Sequence, residues 1–205
     1  MTTGMLSEHF SIAEFEHSDE AIARGIPNKM SGTHIAMAKH TAVYLLENVR
    51  KHLNIKYASD LVKCVAIEIT SGFRSERLNI AIKGATNSQH CKAMAADIKA
   101  TIVYKDGKRK VIPYNELYET IKELTKQKKL YIDQCIQEAS YNKKTDTWSY
   151  WVHISLPAQI SDCRYEFLKY NNGIYTLDCR LKWLHFSMSN TKCKVTRYGK
   201  EFCWI

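Results

Sequence analysis

The sequence predicts an α+β fold, in which a small antiparallel sheet carries packed helices. Helix-type hydrophobic spacing dominates the first part of the chain, and strand-type runs dominate after about residue 130. The 205 residues are 45% hydrophobic and 25% charged, which is an ordinary globular composition and excludes a disordered, collagen-like or coiled-coil chain. A chain of this length can bury a hydrophobic core without disulfide bonds.

Three helices are predicted from local patterns. The segment Ser11 to Glu14 has capping-box spacing, and the helix that it opens is expected to continue to Arg24, before Gly25. Residues 34–53 repeat apolar side chains every three or four positions, which is typical of an amphipathic helix. Residues 115–130 show the same spacing and give a third helix.

Strands are predicted wherever β-branched and aromatic residues alternate between turn signals. They cover residues 64–70, 95–104, 131–137 and 147–156, and a loop-rich segment at 71–94 separates the first two. The tail is expected to form short hairpins, with turns at 171–173 and at Gly199. We therefore expect a domain of residues 1–158 and a β-rich C-terminal hairpin extension, residues 159–205, packed on the same domain.

Net charge and cysteine content restrict the classes of binding partner and the cellular compartment that we expect for this chain. Lys and Arg number 30 against 21 Asp and Glu, and the net charge of +9 favours polyanionic surroundings such as nucleic acid, teichoic acid or an anionic membrane face. The seven cysteines form no C-x-x-C pair, so neither a complete disulfide framework nor a zinc ribbon is indicated. No apolar run reaches the roughly 18 residues of a transmembrane helix, and MTTGMLSEHF lacks a secretory signal pattern. We therefore expect synthesis in a cytoplasm and no membrane insertion.

His90 and Asp97 are the first candidate metal ligands. They are seven residues apart, and neither a helix nor a strand brings side chains at that spacing onto one ion. A chain reversal between them is needed, and the small residues at 93–96 allow the close packing of such a reversal. Catalytic zinc usually takes three protein ligands, so a third is expected elsewhere.

Two later segments offer that third ligand, WVHIS at 151–155 and WLHFS at 183–187. In each, strand alternation places the histidine on the opposite face from its apolar neighbours, so periodicity does not choose between His153 and His185. The strand before His153 carries an acid, Glu138, whereas the equivalent offset before His185 holds Tyr170. This difference favours His153.

The motifs together resemble a known family. SGFRSERLN at 71–79, SQHCKAMAADI at 88–98 and WVHIS at 151–155 are similar to the D-Ala-D-Ala carboxypeptidase-like zinc peptidases, a group found among phage endolysins and bacterial cell-wall enzymes. SEHFSIAEF at 7–15 also resembles the start of that group, so the resemblance covers residues 7–156.

The resemblance implies roles for individual residues. It implies that Zn²⁺ is held by His90, Asp97 and His153, and that Glu138 is the general base, with Asp133 on the same strand as the rival carboxylate. It further implies substrate contacts for Ser88 and Arg74, and a guanidinium beside zinc is suited to stabilise a developing oxyanion. Relatives usually have glycine at the position of Ala93, so we expect a slightly reshaped loop if that position has a positive φ.

The function implied is a zinc-dependent peptidase that acts on peptidoglycan stem peptides, as a D-Ala-D-Ala carboxypeptidase or an L-Ala-D-Glu type endopeptidase. A phage or prophage lysin, monomeric and acting on the bacterial cell wall, fits this resemblance. The alternative is a non-catalytic cell-wall-binding or phage structural module with the same fold. A nucleic-acid binder is not favoured, because charge alone supports it and no recognised binding motif accompanies it.

Overall fold

The computed structural model describes residues 4–171, 173–181, 194–197 and 200–203, with side chains described up to residue 181. The helices are α1 (Ile12–Glu16), α2 (Asp19–Arg24), α3 (Gly32–Thr41), α4 (Glu47–Lys56), α5 (Glu76–Ala81) and α6 (Tyr114–Lys126). The strands are β1 (Val62–Ser71), β2 (Ala95–Tyr104), β3 (Arg109–Val111), β4 (Gln134–Asn142), β5 (Thr147–Ser155), β6 (Glu166–Asn171), β7 (Ile174–Arg180), β8 (Lys194–Arg197) and β9 (Lys200–Cys203). None of the helices in these ranges is long and apolar enough to span a bilayer.

The N-terminal region differs from the single helix predicted for residues 11–24. The Ser11 capping box is confirmed, because its hydroxyl accepts from the Glu14 amide and the Glu14 carboxylate accepts from the Ser11 amide. The helix ends where His17 turns to extended backbone, and Ser18 caps a second helix. The sequence signal missed here was this second cap, which follows soon after the first.

The long helix predicted for residues 34–53 is confirmed and extends at both ends. It runs from α3 through a π-helical turn, Ala42–Leu46, into α4. The extra backbone residue of a π turn shifts the helical phase. Leu45, Leu46, Val49 and Leu53 are all fully buried along this stretch.

The sheet confirms the α+β class and is larger than the sheet predicted. Six of its seven strands follow the order β1-β2-β5-β4-β6-β7, and the seventh, β3, pairs with β2. Every pair in this sheet is antiparallel except β4 with β6. The two short strands β8 and β9 pair with each other.

One face of the sheet is apolar and packs on α4 and α6. Alternate residues of β1 and β2, such as Ile67 and Ala100, are cross-strand neighbours on this buried face. On the opposite face of β2, Ala95 is followed by Asp97, which therefore points away from the main core. This alternation separates the stabilising face of the sheet from the face that carries polar side chains.

The segment after residue 159 continues the same sheet through β6 and β7. The division at residue 158 stays a prediction. Asn172 and Gly199 of the predicted turns, and the alternative metal ligand His185, lie outside the described residues.

Candidate metal centre

The chain reversal expected between His90 and Asp97 occurs at Ala93. A short 3₁₀ helix, Gln89–Lys92, carries His90 and is capped by Ala93 in the left-handed conformation, φ 56°. The chain then enters β2, whose third residue is Asp97. Alanine therefore occupies a backbone conformation that glycine adopts without strain.

Register in the sheet brings the candidate third ligand to this pair. β2 and β5 are antiparallel, and Asp97 is directly opposite His153. Cross-strand neighbours have Cβ atoms only about 5 Å apart, so their side chains meet on the same face. His90 approaches from the 3₁₀ helix above that face, and its ring lies edge-on to His153.

The three ligand atoms form a small triangle. His90 Nε2 lies 3.1 Å from His153 Nδ1 and 3.3 Å from Asp97 Oδ1, and His153 Nδ1 lies 3.0 Å from the same Asp97 oxygen. All three residues are buried. Ligands about 2.0–2.1 Å from a tetrahedral zinc ion lie about 3.3 Å from one another, so the donor types and their spacing both fit zinc.

A second set of hydrogen bonds orients the candidate ligands. His90 Nδ1 lies 2.6 Å from the Gly72 carbonyl oxygen, which can only accept, so Nδ1 carries the proton and Nε2 is free to bind a metal. Arg74 Nη2 donates to Asp97 Oδ2 over 2.8 Å, and its Nε donates to the Ser71 hydroxyl. Arg74 thus leaves Asp97 Oδ1 directed at the two imidazoles.

The electrostatics favour the protonation states that a metal requires. Burial lowers the pKa of His90 and outweighs the opposing effect of Asp97, so the imidazole is neutral at pH 7. Burial would raise the pKa of Asp97, but its interactions with His90 and His153 lower it well below its usual range. The site therefore presents a neutral imidazole at His90 and a carboxylate at Asp97, the forms that bind a metal.

The triad opens into a cavity of about 450 Å³. Its walls come from the segment before β2 and from five strands, β2, β4, β5, β6 and β7. The lining residues include His90, Asp97, His153, Arg74, Ser88, Gln89, Glu138, Trp151, Arg164, Tyr170 and Tyr175. Two more apolar surface depressions, one between α4 and α6 and one between α4 and residues 7–9, contain no part of the triad.

Glu138 lies in this cavity on β4. It pairs with Trp151, two residues before His153 on the same face of β5. Burial and the nearby Asp97 carboxylate raise the pKa of Glu138 to about 7. A carboxyl group with a pKa near neutrality, facing the same cavity as the candidate ligands, has the properties of a general base.

The rival carboxylate, Asp133, has different neighbours. Arg164 donates to it from its amide, Nε and Nη2, and Gln89 donates from its side-chain amide. Burial raises the pKa of Asp133, but these interactions lower it overall. Asp133 is therefore a buried, neutralised anion that ties the start of β4 to the residue preceding His90.

The remaining predicted residues also line the cavity. Ser88 is the residue before the 3₁₀ helix, and its hydroxyl makes no capping bond. The structure thus brings together all the residues predicted for the site, whereas their catalytic and substrate-binding roles stay predictions. Sequence patterns did not single out Tyr175 or Arg164, because their place in the cavity depends on β6 pairing with β4.

Comparison with known proteins gives one family match. Residues 8–109 match the model of the family described as Peptidase M15. The matched range contains His90 and Asp97, whereas Glu138 and His153 follow it. No curated protein matches the chain.

Proposed function

Since residues 8–109 are a Peptidase M15 family domain and the chain carries a candidate zinc-binding His-Asp-His triad, we propose that this metallopeptidase hydrolyses peptidoglycan stem peptides or cross-links. The observation that carries the proposal is the convergence of His90, Asp97 and His153 at the floor of a cavity that also contains Glu138. The cavity is large enough for several residues of a peptide.

Zinc held by His90, Asp97 and His153 would lower the pKa of a bound water to about 7 and supply a nucleophile at neutral pH. Glu138 accepts a proton as the water oxygen bonds to the peptide carbonyl carbon. It then gives that proton to the departing amine as the C–N bond breaks. The raised pKa of Glu138 suits both transfers, since the group takes and releases a proton near neutral pH.

Arg74 serves two purposes in this mechanism. One guanidinium nitrogen holds Asp97 in place, and the side chain also borders the cavity. A fixed cation at this position stabilises the oxyanion that develops on the substrate carbonyl, or anchors a substrate carboxylate. The Ser88 hydroxyl, on the same wall, is placed to hydrogen-bond the peptide.

The peptidoglycan substrate is supported by the sequence resemblance and by charge. The net charge of +9 favours binding to a wall rich in anionic polymers. We therefore propose action on the bacterial cell wall, as expected of a phage or prophage lysin. The bonds that this class of enzyme would cleave are D-Ala-D-Ala or L-Ala-D-Glu.

The decisive experiment combines zinc analysis with release of new amino groups from purified peptidoglycan. Wild type is expected to hold one zinc per chain and to release amines. His153→Ala is expected to lose both. Glu138→Ala is expected to keep zinc and lose roughly 10²- to 10⁴-fold in kcat.

Two matched variants make this experiment specific. Asp133→Asn removes the rival carboxylate and is expected to retain most activity, whereas activity lost there and kept in Glu138→Ala would reassign the base to Asp133. His185→Ala is expected to keep zinc, and zinc lost there but retained in His153→Ala would reassign the third ligand. A wild type that binds zinc and cleaves no wall preparation would identify a binding module.

A further inference from the structure

The strands that follow residue 159 extend the sheet face that carries the candidate metal centre. β6 pairs in parallel with β4 and places Tyr170 next to Glu138. β7 pairs antiparallel with β6 and places Tyr175 next to Tyr170. Glu138, Tyr170 and Tyr175 therefore form one row across three neighbouring strands, and all three line the cavity.

The two tyrosines form an aromatic wall. Their ring centroids are 4.6 Å apart, with the planes tilted by 43°. Tyr175 is 58% exposed. Within the part of the chain that the structure describes, the Tyr175 hydroxyl donates no hydrogen bond, so it is available to a ligand.

Burial in the hydrophobic core does not explain why tyrosines occupy positions 170 and 175. On β6 it is Phe167, on the opposite face, that is fully buried and packs edge-on against Tyr118 of α6. Tyr170 and Tyr175 face the cavity instead. A pair of large aromatic side chains that is left accessible beside reactive groups is typical of a ligand-binding surface.

The charges around the aromatic wall favour the protonated Tyr175 hydroxyl, which can act as a hydrogen-bond donor. Burial and the carboxylates of Glu138 and Asp97 raise the pKa of Tyr175, while Arg74 opposes this effect. The hydroxyl therefore keeps its proton throughout the neutral range. As a donor it pairs with an acceptor, and a peptide offers carbonyl and carboxylate oxygens.

We propose that Tyr170 and Tyr175 bind the substrate peptide beside the scissile bond. The Tyr170 ring packs against the peptide, and the Tyr175 hydroxyl donates to a substrate oxygen. This inference rests on the proposed peptidase function and makes the β6–β7 hairpin, which lies beyond the family match at 8–109, the part of the chain that selects the substrate.

Steady-state kinetics test the proposal with a synthetic stem pentapeptide that contains L-Ala-D-Glu and D-Ala-D-Ala bonds. Tyr175→Phe is expected to raise KM roughly five- to tenfold, the effect of one lost hydrogen bond, with kcat changed less than about twofold and zinc content unchanged. Tyr170→Ala is expected to raise KM by a similar factor, whereas Tyr170→Phe, which keeps the aromatic ring, is expected to have the KM of the wild type. Tyr150→Phe is the matched control, because Tyr150 lies on β5 on the opposite face from Trp151.

Calorimetry provides a second readout. It measures the Kd of the same peptide for two zinc-loaded proteins, the Glu138→Gln variant and the Glu138→Gln/Tyr175→Phe double variant. The Kd is expected to rise by the same factor as KM. A wild type that cleaves the peptide, with KM and Kd unaltered by both tyrosine variants, would overturn this inference and leave the peptidase function standing. A wild type that neither cleaves nor binds the peptide or purified peptidoglycan would overturn the proposed function, and this inference with it.

Discussion

His90 and Gly72 are joined by a hydrogen bond of 2.6 Å between the imidazole Nδ1 and the backbone carbonyl oxygen. Gly72 itself packs against the backbone of Phe15 in α1, where an added Cβ would lie 2.7 Å from the Phe15 carbonyl oxygen and 2.8 Å from its Cα. The next amide, of Phe73, donates to that same Phe15 oxygen. The orientation of a candidate metal ligand therefore depends on close backbone packing by the first helix.

Gly72→Ala is expected to weaken zinc binding by roughly 10- to 100-fold, the usual effect of disturbing a partner of a ligating histidine. The added methyl group must push Gly72 away from Phe15, and the carbonyl that orients His90 moves with it. A competition titration with a chromophoric chelator measures the affinity. Gly32→Ala is the control, because a Cβ added to this residue of α3 would meet nothing within 4 Å. Equal zinc affinity in both variants would contradict this account.

Glu138→Gln is expected to stabilise the metal-free protein above pH 7 but not at low pH. The folded-state pKa of Glu138 is about 7, against an ordinary value of 4.5, so the folded protein keeps a proton that the unfolded chain has released. Wild type therefore loses stability as pH rises from about 4.5 to 7, by up to about 2 kcal/mol, whereas the neutral amide has no such loss.

Thermal unfolding in the presence of chelator at pH 4.5 and pH 8 measures this difference. Glu123→Gln, on the exposed side of α6, is the matched control and is expected to change stability by less than about 0.5 kcal/mol at both pH values. A pH-independent difference for Glu138→Gln would mean that Glu138 titrates normally.

Arg164→Ala is expected to destabilise the protein by about 2 kcal/mol. Asp133 is buried, and the variant removes two of the donors that compensate its charge. The half-exposed Arg164 side chain keeps the cost below that of a fully buried pair. The double variant Asp133→Asn/Arg164→Ala is expected to lose less than the sum of the two single variants.

Urea unfolding provides these free energies. Arg24→Ala is the comparison, because it breaks an exposed ion pair with Glu20 and is expected to cost less than about 0.5 kcal/mol. Additive losses in the double variant would show that Asp133 and Arg164 are not coupled.

Ala93→Gly is expected to change stability by less than about 1 kcal/mol. Relief of the left-handed backbone at φ 56° contributes about 1 kcal/mol, and loss of a fully buried methyl group costs about 0.8 kcal/mol. Ala93→Val adds a β-branched side chain to the same conformation and is expected to cost more than about 2 kcal/mol. Thermal unfolding of both variants checks the contrast, and a tolerated valine would mean that this loop relaxes freely.

Local sequence determined the features that depend on near neighbours. The Ser11 capping box, the long helix and the strands β1 and β2 follow from hydrogen bonds and hydrophobic spacing within a few residues of each other. The reversal between His90 and Asp97 was also predictable, because no regular element brings ligands seven residues apart onto one ion. The π-helical turn at Ala42–Leu46 carries no signal of this kind.

Local periodicity did not decide which distant residues share the site, because that depends on how the strands pair. The WVHIS and WLHFS segments have the same alternation, and it is the register of β5 against β2 that places His153 opposite Asp97. Likewise, Glu138 and Asp133 are close in sequence but have different surroundings. Glu138 lines the cavity, whereas Asp133 accepts hydrogen bonds from Arg164. The tyrosine wall requires β6 to pair in parallel with β4, and strand pairing is set by the packing of whole faces, which a local pattern does not encode.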